Sequence, residues 1–251
     1  MTVQSSRFDN DGFIATHERS GMTRSKFLAW CVHGYTALGG IIGMAALFQA
    51  ADGYFREAFL LLVITMLIDA TDGLLARRLQ VSKILPDFDG AMMDNVIDIL
   101  TFGWLPIFII GKLDVLPSPV WLVFPILGAL YAYGQTNMKD SAGYFTGFPT
   151  YWSLVALYLW WLRPLPEISA FLIATLGILS FVPTKYLYPS KGSTLWRTTW
   201  ALGAIWFLLV IYLLLQPTPS LTLVFVSLLY PAYYMLASFT VDYRLRRGLQ
   251  V

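Results

Sequence analysis

The sequence predicts an all-α integral membrane protein: a bundle of eight transmembrane helices with both termini cytoplasmic. Three observations predict it. The 251 residues are 57% hydrophobic and only 13% charged, about half the roughly 25% of a soluble domain. The mean hydropathy is +0.62, which leaves too little polar surface for a water-facing enzyme. The apolar residues also gather into runs on the scale of a bilayer, where roughly 20 residues make one helical crossing. No run alternates as a strand does, and open sheets leave unsatisfied edges in lipid, so the crossings are expected as helices.

Residues 1–26 are polar and carry Arg7, His17, Glu18, Arg19, Arg24 and Lys26. They are too hydrophilic for the core of a signal peptide, so the first apolar run is a genuine span. The eight runs cover 27–48, 55–75, 92–110, 120–138, 149–162, 168–183, 198–215 and 221–241. The fifth is short, and the segment that opens the third carries two aspartates. With the N-terminus inside, 14 basic residues fall in cytoplasmic segments. Arg56, Lys112 and Arg163 alone fall outside, the asymmetry that orients membrane proteins. An odd number of spans would break that partition at Arg244, Arg246 and Arg247, which read as orientation signals at anionic lipid. The organisation is a cytoplasmic segment 1–26, one membrane domain 27–241 and a tail 242–251. Cys31 is the single cysteine, which excludes a disulfide framework and a thiolate metal site. The net charge of +2 gives no reason to expect nucleic acid as a partner.

Acids are concentrated in one stretch, 67–100, LIDATDGLLARRLQVSKILPDFDGAMMDNVIDIL. Asp69 and Asp72 stand at i, i+3 near the cytoplasmic end of the second run, and Asp94 and Asp98 at i, i+4 near the start of the third. On helices each pair shares a face. Ionisable groups inside a membrane are costly and face the bundle interior or a wet cavity. Four carboxylates repel one another unless a cation neutralises them, and hard divalent cations prefer oxygen ligands. A pair of such ions roughly 3.5–4 Å apart is a known clamp for displacement at phosphorus. An ion-coupled transporter would carry intramembrane acids too. The neighbours Gly73, Ala76, Arg77 and Gly90 favour a phosphate ligand: small residues admit close approach, and arginine suits phosphate.

Asp69, Asp72, Gly73, Ala76 and Arg77, followed by Gly90, Asp94 and Asp98, resemble the signature of the CDP-alcohol phosphotransferases. Those membrane enzymes move a phosphatidyl or phosphoalcohol group from a CDP-linked donor to an alcohol and release CMP. The spacer between the arginine and the second glycine is eight residues in the common pattern. Here it is twelve, residues 78–89. The longer spacer is similar to the bacterial branch that joins CDP-diacylglycerol to free choline, and so are the stretches 29–40, 85–91, 137–139, 147–149 and 182–189.

The resemblance implies two divalent cations, Mn²⁺ or Mg²⁺, held by Asp69, Asp72 and Asp94, with Asp98 either a ligand or the catalytic base beside Asp94. Asp69, Gly73, Ala76, Arg77 and Gly90 would hold the CDP group. It also implies a bacterial inner membrane, a site open to the cytoplasm and a homodimer. The lipid-side phosphate of the donor calls for a further cation, and Lys185 is the first choice, with Lys83 and Arg78 behind it. Choline is a quaternary ammonium, which proteins hold on aromatic faces. Tyr131, Tyr133, Tyr144, Phe145, Tyr186 and Tyr188 lie at the predicted cytoplasmic side, with Trp104 deeper on the third run. Asn137 and Gln135 could line the same pocket. Serine and glycerol phosphate are the rival acceptors. His33, within the first run, is expected to make an interhelical hydrogen bond.

Overall fold

The computed structural model of the chain describes residues 23–136, 143–188 and 195–249. Among these the architecture is a helical bundle. Thr23 caps the first helix, α1 (Arg24–Ala51), by accepting from the Lys26 amide. A tight turn at Gly53, whose φ of +84° suits glycine, folds the chain back into α2 (Phe55–Arg78). A short helix α3 (Val81–Ile84) leads to α4 (Gly90–Asp98), which runs through a π-helical turn at Ile99–Trp104 into α5 (Leu105–Lys112). Then follow α6 (Val123–Gly134), α7 (Trp152–Leu162), α8 (Pro166–Leu179), α9 (Trp196–Leu215), α10 (Leu221–Ser227) and α11 (Leu229–Arg246).

Among the described residues, five stretches are long and apolar enough to cross a membrane: Arg24–Ala51, Phe55–Arg78, Gly90–Lys112, Trp196–Leu215 and Leu221–Arg246. They contain the first, second, third, seventh and eighth runs almost whole. The fourth, fifth and sixth runs form the shorter apolar helices Pro119–Gly134, Trp152–Leu162 and Pro166–Leu179. At 1.5 Å per residue the 11 residues of α7 rise only about 16 Å, against roughly 30 Å of hydrocarbon. The chain is a multi-pass membrane protein on its five long helices.

The third crossing is not one regular helix. Pro106 has no N–H to give the Phe102 carbonyl, and the helix passes through a π turn just upstream. Pro231 likewise cannot bond the Ser227 carbonyl, and the last crossing breaks between α10 and α11.

The expectation of helices alone needs one correction. Tyr144–Thr146 and Lys185–Leu187 pair as a two-stranded antiparallel ribbon, β1 and β2. It joins the loops that follow α6 and α8 and lies under α11. The Lys185 amide donates to the Asp242 Oδ1 at 2.9 Å, the Leu187 amide to the Ser238 hydroxyl, and the Tyr234 hydroxyl to the Leu187 carbonyl. Arg246 forms a 2.7 Å ion pair with Asp242 and donates to the Pro183 carbonyl. Arg246 therefore ties the C-terminal helix to the ribbon, where sequence suggested only contact with lipid.

Helix association in lipid gains little from hydrophobicity and relies on close packing of small residues. The α1 face Gly39, Gly40 and Gly43 meets the third crossing in this way. A methyl at Gly43 would stand 2.8 Å from Thr101, and one at Gly40 would stand 3.4 Å from Ile97. The interior holds Leu105, Ile109, Ile110, Trp152, Ile173 and Leu214. Ile41, Phe171, Ile205, Leu208 and Leu236 point outward, as a lipid-facing surface requires.

Candidate active site

The last turns of α2 and the first turns of α4 carry the acids. Helix α4 starts at Gly90 because the Asp89 side chain caps it, accepting from the Met92 amide at 2.9 Å. The longer spacer before it is folded. Gln80 turns the chain in a left-handed conformation, and α3 docks Val81 onto Ala29 and Val32 of α1, with Ala76, Ile84 and Leu85 packed around them. Ala76 therefore faces this small apolar cluster.

Asp69, Asp94 and Asp98 come together, with one carboxylate oxygen of each within 4.8 Å of the other two. Asp98 is buried and the other two are half-buried. Asp72 is buried one turn beyond Asp69 and is not one of the three. The trio is all oxygen, drawn from two helices, and like charges this close repel one another. That donor set fits a hard divalent cation, so the cluster can hold a metal ion.

Gly73 and Arg77 work as a unit. The Arg77 guanidinium folds back along α2, and its Nη1 comes 3.2 Å from where a Gly73 methyl would sit. A side chain at 73 would push the exposed arginine away from the acidic end of the helix. Gly90 has a different neighbour from the nucleotide that the resemblance implies. A methyl there would overlap the His33 ring, which packs on Phe88 with centroids 4.5 Å apart. His33 is 7% exposed, and its Nε2 has no hydrogen-bond partner among the described residues. The interhelical hydrogen bond expected of His33 is absent at that atom, and the packing against Gly90 takes its place.

The candidate choline rings divide. Tyr186 is fully enclosed in the ribbon, against Phe148 and Phe239. Burial, with Asp242 adding to it, pushes its hydroxyl up to about 12. It is a core residue rather than the wall of an open pocket. Tyr144 is buried in β1, and Tyr188 packs on Phe145. Tyr131 is exposed beside Phe181, and Trp104 is exposed on the π turn. Tyr133 is the ring brought to the acids: its hydroxyl lies within electrostatic reach of Asp98, Asp69 and Asp94 and hydrogen-bonds with the Thr150 side chain. Thr150 had no signal in the sequence beyond its position after Pro149. It is buried, with a left-handed φ of +45°.

Among the candidate cations for the lipid phosphate, Arg78 and Lys83 are exposed on α2 and α3, and Lys185 is half-buried on β2. Asn137 lies outside the described residues. Gln135 is half-buried just past α6, with its Nε2 unpartnered among the described residues.

The sequence model of the CDP-alcohol phosphatidyltransferase family matches residues 34–182. The chain is similar to a phosphatidylcholine synthase of Borreliella burgdorferi, 31% identical over 226 residues that cover 87% of this chain and 96% of the relative. It is 32% identical over 187 residues to a phosphatidylcholine synthase of Pseudomonas aeruginosa, covering 73% of this chain and 79% of the relative. To that of Bradyrhizobium diazoefficiens it is 34% identical over 189 residues, covering 74% and 71%. The match to the family spans more than half the chain and includes both helices of the carboxylate trio, so the chain belongs to the CDP-alcohol phosphatidyltransferase family.

Proposed function

We propose that this chain is a phosphatidylcholine synthase: it transfers the phosphatidyl group of CDP-diacylglycerol to choline, giving phosphatidylcholine and CMP. The observation that carries this reading is the trio Asp69, Asp94 and Asp98, held within 4.8 Å by two helices, in a chain whose relatives carry that name.

Choline's hydroxyl oxygen attacks the phosphorus on the diacylglycerol side of the pyrophosphate. The bond from that phosphorus to the bridging oxygen breaks, and CMP leaves with the electron pair. The hydroxyl proton passes to Asp98, the buried member of the trio, acting as general base. When bound, two divalent cations, Mn²⁺ or Mg²⁺, supply charge stabilisation of the pyrophosphate and the leaving CMP. Asp69, Asp72 and Asp94 would hold them, with Asp98, which meets Asp69 and Asp94 within 4.8 Å, either a further ligand or the base. Arg77, folded over Gly73, meets the donor phosphates, and Asp69, Ala76 and Gly90 are the remaining candidates beside the CDP group. Lys185, Lys83 and Arg78 are the candidate partners of the lipid-side phosphate. Most of the rate gain comes from positioning and charge stabilisation.

The family membership sets aside the ion-coupled transporter. For the acceptor, serine and glycerol phosphate remain the competing substrates.

One catalytic domain, 27–241, makes eight passes, five on the long helices and three on the shorter apolar helices Pro119–Gly134, Trp152–Leu162 and Pro166–Leu179, with residues 1–26 and 242–251 in the cytoplasm. Two observations support this: the 14 to 3 split of basic residues, and the carboxylate trio where the end of α2 meets the start of α4, the ends that this split assigns to the inside. That side faces the cytoplasm, and the membrane is the bacterial inner membrane. Homodimer assembly is taken from the family resemblance.

The acceptor series tests the reading. With saturating CDP-diacylglycerol, kcat/KM is expected to fall from choline through partly methylated ethanolamines to ethanolamine, with serine inert. Each N–H that enters a ring-lined pocket without a partner costs about 1–3 kcal/mol, whereas a quaternary ammonium has none to lose. Serine or glycerol phosphate turning over faster than choline would overturn choline as acceptor and leave the phosphotransferase chemistry standing.

A further inference from the structure

We propose that the end of the bundle opposite the carboxylate trio carries a second site, built around Arg56, that binds the phosphate of an anionic phospholipid. The site is independent of the acceptor and of the reaction.

Arg56 stands in the first turn of α2, 13 residues before Asp69, which is about 20 Å along the helix. A cleft of about 220 Å³ opens there between the start of α2, the end of α7 and the turn from α9 to α10. Its wall includes Arg56, Trp160, Trp161, Leu213, Gln216 and Pro217. Arg56 is half-buried, and its Nη2 donates to the Pro217 carbonyl at 3.3 Å. An arginine at a helix end ordinarily extends its head into water. This one is drawn inward, between two elements of the bundle. Among the described residues no carboxylate pairs with it. Its acidic neighbours in sequence, Asp52 and Glu57, are exposed, and the cleft has no acid in its wall. The helix dipole also disfavours a cation in the first turn.

The cleft therefore holds a cation with unused donors. A guanidinium has five N–H groups, and the Pro217 carbonyl takes one. The Trp161 Nε1–H is enclosed without an acceptor among the described residues, and Gln216, which ends α9, adds an amide. A charge and several N–H donors with no opposing carboxylate suit the oxygens of a phosphate.

Size and surroundings select a lipid. The volume lies below the roughly 300–1,000 Å³ of ordinary small-molecule sites, which suits a headgroup phosphate better than a whole nucleotide. Ile205, Leu208, Tyr212 and Leu215 point outward, and their spacing puts them on one face of α9. That apolar stripe ends beside Gln216, so an acyl chain can follow it while the phosphate meets Arg56. Trp160 and Trp161, stacked with centroids 6.3 Å apart, supply the amphipathic rings found at a membrane interface. A zwitterionic headgroup would bring an ammonium towards the guanidinium. An anionic lipid with an uncharged alcohol headgroup does not, and is the preferred occupant.

The test compares Arg56→Gln, Arg56→Lys and Trp161→Phe with the unaltered protein by native mass spectrometry from detergent. Phosphatidylglycerol, phosphatidylcholine or inorganic phosphate is added. At equal lipid the unaltered protein is expected to hold one more phosphatidylglycerol than Arg56→Gln, whose binding at this site is about tenfold weaker. Arg56→Lys keeps the charge but not the fork, and Trp161→Phe keeps a ring but not its N–H. Each should weaken phosphatidylglycerol about two- to fivefold. Phosphatidylcholine should bind alike in all four proteins, and inorganic phosphate should not bind. If Arg56→Gln cannot be purified, the other two variants decide the matter. Phosphatidylglycerol bound equally by the unaltered protein and every variant obtained overturns the inference. Phosphatidylcholine bound as tightly as phosphatidylglycerol, with the same dependence on Arg56, overturns the preference for an anionic lipid. Inorganic phosphate bound with that dependence overturns the lipid as occupant.

Discussion

Asp69→Ala and Asp94→Ala each give a protein that inserts and purifies but releases no measurable CMP from CDP-diacylglycerol. Each removes one of the three carboxylates whose oxygens lie within 4.8 Å, and the two lie on different helices, so neither can replace the other. A divalent cation bound by hard oxygens loses much of its site with one ligand gone, and the transferring phosphorus loses the charge stabilisation that dominates such reactions. The fold is expected to survive. Both residues are half-buried, and removing one of three like charges relieves repulsion in the metal-free protein. The measurement is CMP release together with gel filtration in detergent. Turnover within tenfold of the unaltered protein in either variant would show that the trio is not the catalytic centre.

Asp98→Asn separates base from ligand. The amide keeps the shape and one oxygen facing the cluster but accepts no proton from choline. The rate is expected to fall about 10²- to 10⁴-fold, the scale of a general base, with the KM values for both substrates changed little because neither substrate is bound by the proton transfer. Asp98 is buried at the last turn before the π-helical segment, and that irregular turn allows the helix downstream of Asp98 to pack on α1 at Gly43 and Thr101. Steady-state kinetics on the purified variant check this. A rate equal to that of the unaltered protein would make Asp98 structural, leaving proton transfer to another group.

Much of the site was legible in the sequence because its determinants are local. The i, i+3 and i, i+4 spacings placed acids on helix faces, and intramembrane acids stand out against apolar runs. Asp69, Asp94 and Asp98 meet as two facing helix ends would bring them. That Asp72 stands apart from the trio depends on how α2 is rotated against α4, and spacing along one helix does not carry that. The twelve-residue spacer signalled a departure, but its fold, a short helix docked on Ala29 and Val32, is a tertiary contact. The ribbon was invisible for another reason. Its strands are three residues each and pair across about forty residues of chain, too short for any alternation to register. That pairing encloses Tyr186, which composition could not distinguish from Tyr133. The Gly90 signal was read as space for the nucleotide, and the structure fills it with His33. The π turn follows from Pro106, a residue present in the sequence whose effect within an apolar run is easily overlooked.

The most direct test of the account measures both products at once. Purified protein is given CDP-diacylglycerol and labelled choline, and CMP and labelled lipid are followed together. The account predicts one phosphatidylcholine for each CMP, cessation of both in excess chelator, and return of both with Mn²⁺ or Mg²⁺. CMP released without labelled lipid, or full turnover in excess chelator, would contradict it.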